Sequence, residues 1–526
     1  MKKFFIVSGK ILSVLLLSLV AVLALFSVSP VYDFSAPRPF SGPDIFNPYA
    51  ALDRGMCDGA ARCDNAVPGG GVVPDDGATR CDGATWCDSA VPGDGVVPND
   101  GAARCEGWDK TWKRANFHTH TRVRPFLSEC DFWPEEVLAY YDSLGYDIVT
   151  FSNHNALTVH PNDTALQVNV YEHGYNLFKY HLLVFGSDRV NRFDPLLPVL
   201  VSQRQWKLDM LGRDSDFIQL NHPFRTWLTS RDDMECLSGY EIMELDSGVT
   251  TEQEYWDRAL SAGHYSFALA NDDLHHPDRS WCIGIRSNML YCGDGSYASL
   301  KETLLGGAYY CMRMPDYGAD DTAGDTAETS GFRAETSGFG AENPDYGTEI
   351  SGFGAEYVAG DTAEVPGRGT LSGVGGWVQR KRAGIAAAPR LTGIGTEGDS
   401  LFVELSETAS IIKAIGQGGR VLASAENSAS LSYLMDDSDT YVRFTAYYPD
   451  GAVIYTNPFA RYDKSAVEAY GDAGISSRPA LTDSYFHTPH SVNWPLTILW
   501  NLLVLAIATL CVCGIVRISG RCGNRV

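Results

Sequence analysis

Residues 109–314 constrain the fold more than any other part of this chain, because strand-like and helix-like segments alternate through them. Arg114 to His118 reads as a short strand and Asp147-Ile-Val-Thr-Phe-Ser as a buried one. Tyr180 to Gly186, Phe217 to Asn221, Tyr240 to Leu245 and Tyr265 to Ala270 are further strand candidates. Pro134 to Leu144 is helical in pattern, with proline at its start and Gly145 at its end. Thr251 to Ala262 is a second helical segment, just before the last strand. Such alternation predicts an α/β fold with a largely parallel sheet, open or closed into a barrel.

Ten of the 12 histidines lie between residues 118 and 276, and most fall at the ends of those strands. His118 and His120 close the first, and His154 follows the second. His181 opens the third, His222 follows the fourth, and Asp273 and His275 close the last. In a parallel α/β barrel the strand ends converge on one face, so residues distant in sequence meet there. Side chains two apart on an extended segment share a side, so HxH and DxH pairs can each grip one ion. An isolated HxH is more often structural than metallic. So many at the strand ends of one unit point to a metal centre, and imidazole with carboxylate suits zinc, manganese or iron.

The flanks carry a different chemistry. Sixty-five acidic side chains against 41 basic ones leave a formal net charge of −24, which argues against general nucleic-acid backbone binding. Lys2, Lys3 and Lys10 precede an apolar run from Ile11 to Val28, the pattern of a secretory signal or an uncleaved anchor. A cut after Ser29 would place Pro30 next to it, a poor arrangement for cleavage. Leu496 to Val516 is apolar and followed by Arg517, Arg521 and Arg525, a transmembrane helix with a cytoplasmic basic tail. Everything between the two runs is then expected outside the cytoplasm. Export would permit disulfides among the 13 cysteines, but their pairing cannot be read from spacing.

Residues 57–104 are a tandem duplication: CDGAARCDNAVPGGGVVPDDGATR runs directly into CDGATWCDSAVPGDGVVPNDGAAR. That composition predicts a spacer rather than a core. Residues 315–385 read as an acidic, Gly-rich disordered insertion. Short strands over 386–465, separated by Gly, Asp and Asn turns, predict a small β-sandwich. The expected order is a signal or anchor (1–30), a repeat-bearing linker (31–108), the α/β unit (109–314), the insertion (315–385) and the sandwich (386–465). A linker (466–493), a transmembrane helix (494–516) and the tail (517–526) complete it.

Seven stretches in order carry a resemblance: FHTH, PEEVLAYYDSLGYDIVTFSNHN, YEHGYNLFKYHLLVFG, QLNHP, GYEIMEL, ALANDDLHH and SLKETLLGGAYYC. From Ala115 to Cys311 the chain resembles the PHP (polymerase and histidinol phosphatase) superfamily of metallohydrolases. The resemblance implies a distorted (β/α)7 barrel holding two or three divalent ions. It implies that His118, His120, Glu172 and Asp273 hold the first ion, that Glu172 bridges to a second held by His181 and His222, and that His154 and His275 serve a third. Glu241 and Glu244 are rivals to Glu172, and Asp272 to Asp273. Two positions depart from the family pattern: Asn153 stands where many members have Asp, and no Ser-Asp-Gly follows HTH. Glu129 and Asp131 are the candidate substitutes for that acid.

The implied activity is metal-dependent hydrolysis of a phosphoester, with metal-activated water attacking phosphorus in line. Arg225, from NHPFR, is a candidate phosphate clamp, and Asp273 or His222 a candidate proton carrier. The same ligands would serve a carboxylic ester, amide or carbamate. A degenerate surface binding module is the non-enzymatic alternative. The substrate itself and the oligomeric state are not legible.

Overall fold

The computed structural model describes residues 2–53, 78–81, 85–88, 110–123, 128–161, 168–174, 180–195, 200–226, 229–248, 250–251, 253–293, 296–319, 376–465 and 490–523. Most of the 24-residue repeats, residues 320–375 of the acidic insertion and the linker 466–489 lie outside the described residues.

The chain opens with helix α1 (Lys2–Leu25) and two short strands, β1 (Tyr32–Phe34) and β2 (Asp44–Phe46). The α/β unit follows as β3 (Thr111–Asn116), α2 (Pro134–Leu144), β4 (Ile148–Val149), β5 (Val170–His173) and β6 (Leu182–Phe185). It continues with α3 (Val201–Leu211), β7 (Phe217–Leu220), β8 (Ile242–Ser247), α4 (Glu254–Ala262) and β9 (Phe267–Asn271). β10 (Arg286–Cys292), α5 (Tyr297–Gly306) and β11 (Tyr309–Arg313) close it. Local chemistry accounts for the ends of α2. The Glu136 carboxylate accepts from Trp133 N at 2.8 Å, and Gly145 turns left-handed at φ 81° to stop the helix.

The fold is mixed α/β, built on several sheets, and no closed barrel forms among the described residues. β5 to β8 form one sheet in order, with β9 on the far side of β8. β3 and β4 belong to a second sheet. Among the described strands β3–β4, β7–β8 and β8–β9 pair parallel, whereas β5–β6 and β6–β7 run antiparallel. The expectation of a largely parallel sheet is corrected on this point. The link Gly174–His181 is too short for a crossover helix, so β6 returns beside β5 as a hairpin would. Two single parallel bridges join the sheets, Thr119 with Leu274 and His154 with Glu172. Both involve the histidine-bearing ends.

Beyond residue 376 come α6 (Gly376–Ala387), β12 (Leu391–Glu397), β13 (Ser400–Gly416), β14 (Arg420–Leu434), β15 (Tyr441–Tyr447), β16 (Val453–Thr456) and β17 (Phe459–Tyr462). These strands continue the second sheet of the α/β unit. β11 pairs with β16 from Tyr310↔Thr456 to Arg313↔Val453, in an 11-stranded sheet. α6 begins inside 315–385, where composition suggested disorder. Lys381 on it is buried and meets Asp316 at 3.0 Å, so the flanks of that stretch are ordered. A buried fork ties the C-terminal strands to α4: Arg443 Nη2 and Nε donate to Asp257 at 2.6 and 2.8 Å.

β18 (His490–Val492) and helix α7 (Trp494–Gly523) end the chain. α1 and α7 are both long and apolar enough to cross a membrane. Cys130, Cys236, Cys282 and Cys311 are free thiols.

Candidate metal centre

His118 and His120 leave β3 on one side of an extended segment that is hydrogen-bonded to the residues following β9. His120 N donates to Leu274 O at 3.0 Å and Leu274 N to His118 O at 3.3 Å. That pairing sets the HxH and DxH motifs next to each other. On the neighbouring edge Asn155 N donates to Glu172 O at 2.8 Å, which brings His154 to β5. Among the described residues four non-glycine positions have positive φ, and three lie here: Asn155 (50°), His222 (25°) and Asp273 (49°). Backbone strain of this kind collects where a side chain must be aimed.

Glu172 is the hub. Its Oε1 lies 3.3 Å from His118 Nε2, 3.0 Å from His181 Nδ1 and 3.7 Å from His222 Nε2. Its Oε2 lies 3.3 Å from His120 Nε2 and 3.1 Å from His154 Nε2. Asp273 Oδ1 stands 3.2 Å from His118 Nε2 and 3.3 Å from His120 Nε2. His118 Nε2, His120 Nε2 and Glu172 Oε2 are buried with no hydrogen-bond partner among the described residues. Proteins pair most of their buried polar atoms, so several left this way and aimed at one point fit a cation.

Three groupings place ligand atoms within 4.8 Å of one another around this hub: His118, His120 and Asp273; His154, Glu172 and His181; His120, Glu129 and His154. A fourth, His118, His222 and Glu244, involves the far side of the His118 ring. There Glu244 Oε1 is 3.0 Å from His118 Nδ1 and also accepts from Asn271 Nδ2 at 2.9 Å. Glu244 therefore orients His118 and turns Nε2 toward the cluster. The structure thus gives two of the three candidate glutamates separate roles. The third, Glu241, accepts from Ile218 N at 2.9 Å, away from the cluster.

Of the acids Glu129 and Asp131, Glu129 is the one that faces the cluster. Its Oε2 lies 3.0 Å from His154 Nε2 and 3.2 Å from His275 Nε2, whereas Asp131 is exposed. Asn153 clamps the HTH segment, with Oδ1 accepting from Thr121 N and Nδ2 donating to Thr121 Oγ1, both at 2.8 Å. An aspartate there could not donate, so this departure fits a structural role. Asp272 is structural too: its carboxylate accepts from Gly284 N at 2.7 Å, Arg286 N at 2.9 Å and Tyr141 Oη at 3.0 Å.

His118, His120, His154, Glu172, His181, His222, Arg225, Asp273 and His275 come together in this one cluster, whereas the rivals Glu241, Asp272 and Asp131 do not join it. Arg225 caps it, its guanidinium against Asp273 Oδ2 and its side chain partly exposed. Gly248, at φ 56°, leaves the room: a Cβ there would meet Arg225 Nη1 at 3.1 Å. The sequence reading missed two orienting amides. Asn221 Nδ2 donates to Glu172 Oε1 at 2.9 Å, and Asn271 to Glu244; both immediately precede residues already singled out.

Electrostatics follow from the packing. Burial opposes charge on His118, and Glu244, Asp273 and Glu172 overcome it, holding the ring well above its usual value. Burial likewise opposes His154, which Glu172 and Glu129 lift to about 9. His181 goes the other way, to about 4, because its burial outweighs Glu172. The facing histidines hold Glu172 and Asp273 well below the usual carboxylate range despite burial.

Comparison with protein-family models, curated proteins and solved structures finds no match for this chain.

Proposed function

We propose that this chain is a membrane-anchored, metal-dependent phosphoesterase of the PHP type, with its site outside the cytoplasm. The observation that carries the reading is the buried Glu172 carboxylate, faced on both oxygens by imidazoles at 3.0 to 3.3 Å. One carboxylate shared in this way suits a bridge between neighbouring cations. In this reading the Thr119–Leu274 and His154–Glu172 bridges are the seams of a distorted seven-stranded barrel, β3 to β9.

His118, His120 and Asp273, with Glu172, would hold one divalent ion, and Glu172, His181 and His222 a second. His154, Glu129 and His275 would serve a third, and zinc, manganese and iron suit these donors. Such ions, when bound, lower the pKa of water and stabilise developing negative charge.

The remaining work falls to the chain's own groups. Glu244 keeps His118 in one tautomer. Arg225 sits at the rim, where the guanidinium fork matches two phosphate oxygens and would orient them. Asp273 and His222 are the groups beside it that would accept or return a proton.

Metal analysis of the full chain in detergent, paired with phosphomonoester, phosphodiester and carboxylic ester substrates, tests the proposal. At least one equivalent of metal and chelator-sensitive phosphoester hydrolysis are expected. Less than one equivalent removes the enzyme reading. Cleavage of p-nitrophenyl acetate without any phosphoester moves the chemistry to carboxylic esters.

A further inference from the structure

α1 and α7 pack antiparallel, so that Lys10 near the start of one and Arg517 near the end of the other lie at the same end. A Cβ on Gly514 would lie 3.0 Å from Leu17 Cδ1, which marks how closely the helices approach. Small residues at such crossings are what lets two membrane helices meet.

The opposite ends are locked by hydrogen bonds. Asn501 Oδ1 accepts from Ser29 N at 3.1 Å, and its Nδ2 donates to Ser29 O at 3.0 Å. Trp500 Nε1 donates to Ser27 O at 2.9 Å. Thr497 Oγ1 accepts from Val31 N at 2.9 Å, and Asn493 N donates to Val31 O at 2.8 Å. β1 then pairs with β18 from Tyr32↔Val492 to Phe34↔His490. The backbone from Ser27 to Phe34 is thus engaged along its length by the other end of the chain.

From this geometry we propose that α1 is retained as the permanent partner of α7, forming a two-helix membrane clasp that fixes the α/β unit to the bilayer. The proposal rests on the reading of both helices as membrane-spanning. Asn501 stands in the stretch Leu496 to Val516, which is apolar apart from it and two threonines, and an amide there is costly unless another group satisfies it. The peptide of Ser29 offers both a donor and an acceptor. A cut after Ser29 would carry Ser27 and Ser29 away with α1 and strand Asn501, Trp500 and the buried Gln203, whose Nε2 donates to Ser27 O at 3.0 Å. Ser27 and Ser29 are themselves buried, and Pro30 makes the bond after Ser29 a poor cleavage site.

The clasp reaches the metal centre through α3. Ser202 Oγ accepts from Tyr32 N at 2.9 Å, and Asp209 Oδ2 meets Tyr32 Oη at 2.8 Å and His490 Nε2 at 2.9 Å. On the same helix, buried Lys207 donates to Tyr180 O at 2.8 Å, the residue before the ligand candidate His181. α3 is thus a strut between membrane and site, and the clasp holds the site at a fixed height above the bilayer.

The test uses the full chain with a tag after Val526, isolated from membranes. N-terminal sequencing is expected to start at Met1 or Lys2, with an intact mass of 57.4 kDa plus the tag. Leu17→Cys with Gly514→Cys, in a Cys511→Ser, Cys513→Ser background, is expected to yield a linked peptide with a short bismaleimide. Asn501→Leu should cut that yield several-fold while the chain stays in the membrane. A chain beginning at or after Pro30, no linked peptide, or an unchanged yield in the Asn501 variant overturns the clasp. An alkaline carbonate wash separates the failures: release of the chain overturns the membrane reading and the clasp with it, whereas a trimmed but retained chain overturns the clasp alone. Metal content of the same preparation reads the catalytic proposal independently.

Discussion

Glu244 and His118 form a buried pair, 3.0 Å from carboxylate Oε1 to ring Nδ1, which turns the opposite nitrogen toward Glu172 and Asp273. A ring held by a carboxylate on one side presents a fixed lone pair on the other. Glu244→Gln should therefore weaken metal binding about 10–100-fold without unfolding the chain. Titration of metal into chelator-stripped protein reads this directly, and unchanged affinity would sink the assignment.

Glu129 touches His154 and His275 but belongs to neither of the groupings with Asp273 or Glu172. Glu129→Gln is expected to remove one equivalent of metal and spare the rest. Loss of every equivalent, or of none, on elemental analysis would contradict a separate third position.

Substitution of a ligand at the hub should act differently. His118→Ala removes a ring that faces both Glu172 and Asp273, so hydrolysis is expected to vanish while circular dichroism keeps its helix and strand content. Retained activity counts against the whole centre.

Protons compete with metal. Without metal, the facing carboxylates lift His154 to about 9 and hold His118 and His275 above their usual value, so these rings keep their protons more tightly than free imidazoles do. A cation must displace them, so loading should release protons and apparent affinity should rise with pH up to about 9. A pH-indicator dye during metal addition measures the release, and no release near pH 7 would contradict the pattern.

The Asp257–Arg443 fork joins α4 to β15 with both partners buried. Arg443→Met leaves Asp257 uncompensated and should cost about 3–5 kcal/mol. Asp257→Asn with Arg443→Met should recover part of that loss. Denaturant midpoints of the single and double variants decide it.

How much was legible differed by residue. The HxH and DxH pairs announced themselves, because period-two spacing on an extended segment puts both side chains on one side whatever surrounds them. Helix α2 was equally plain, its proline and Gly145 marking both ends. Strand β5, which carries Glu172, shows no strand signal of its own. Its four residues include Glu172, buried in the cluster, and His173, buried with its Nε2 3.0 Å from Phe193 O, so no apolar run marks it. Nor did composition show the join of β11 to β16, since hydrogen-bonded edges leave no periodic trace.

By itself the sequence determined the chemistry available: histidines and acids at strand ends, apolar runs at both termini and an acidic surround. Local spacing suffices for that. Tertiary structure decided which acid does what. Glu129 rather than Asp131 meets His154 and His275, Glu172 rather than Glu241 is shared, and Glu244 orients His118. It also decided that Asn501 meets Ser29. Those choices depend on contacts between residues far apart in the chain, set by strand pairing and burial rather than by spacing.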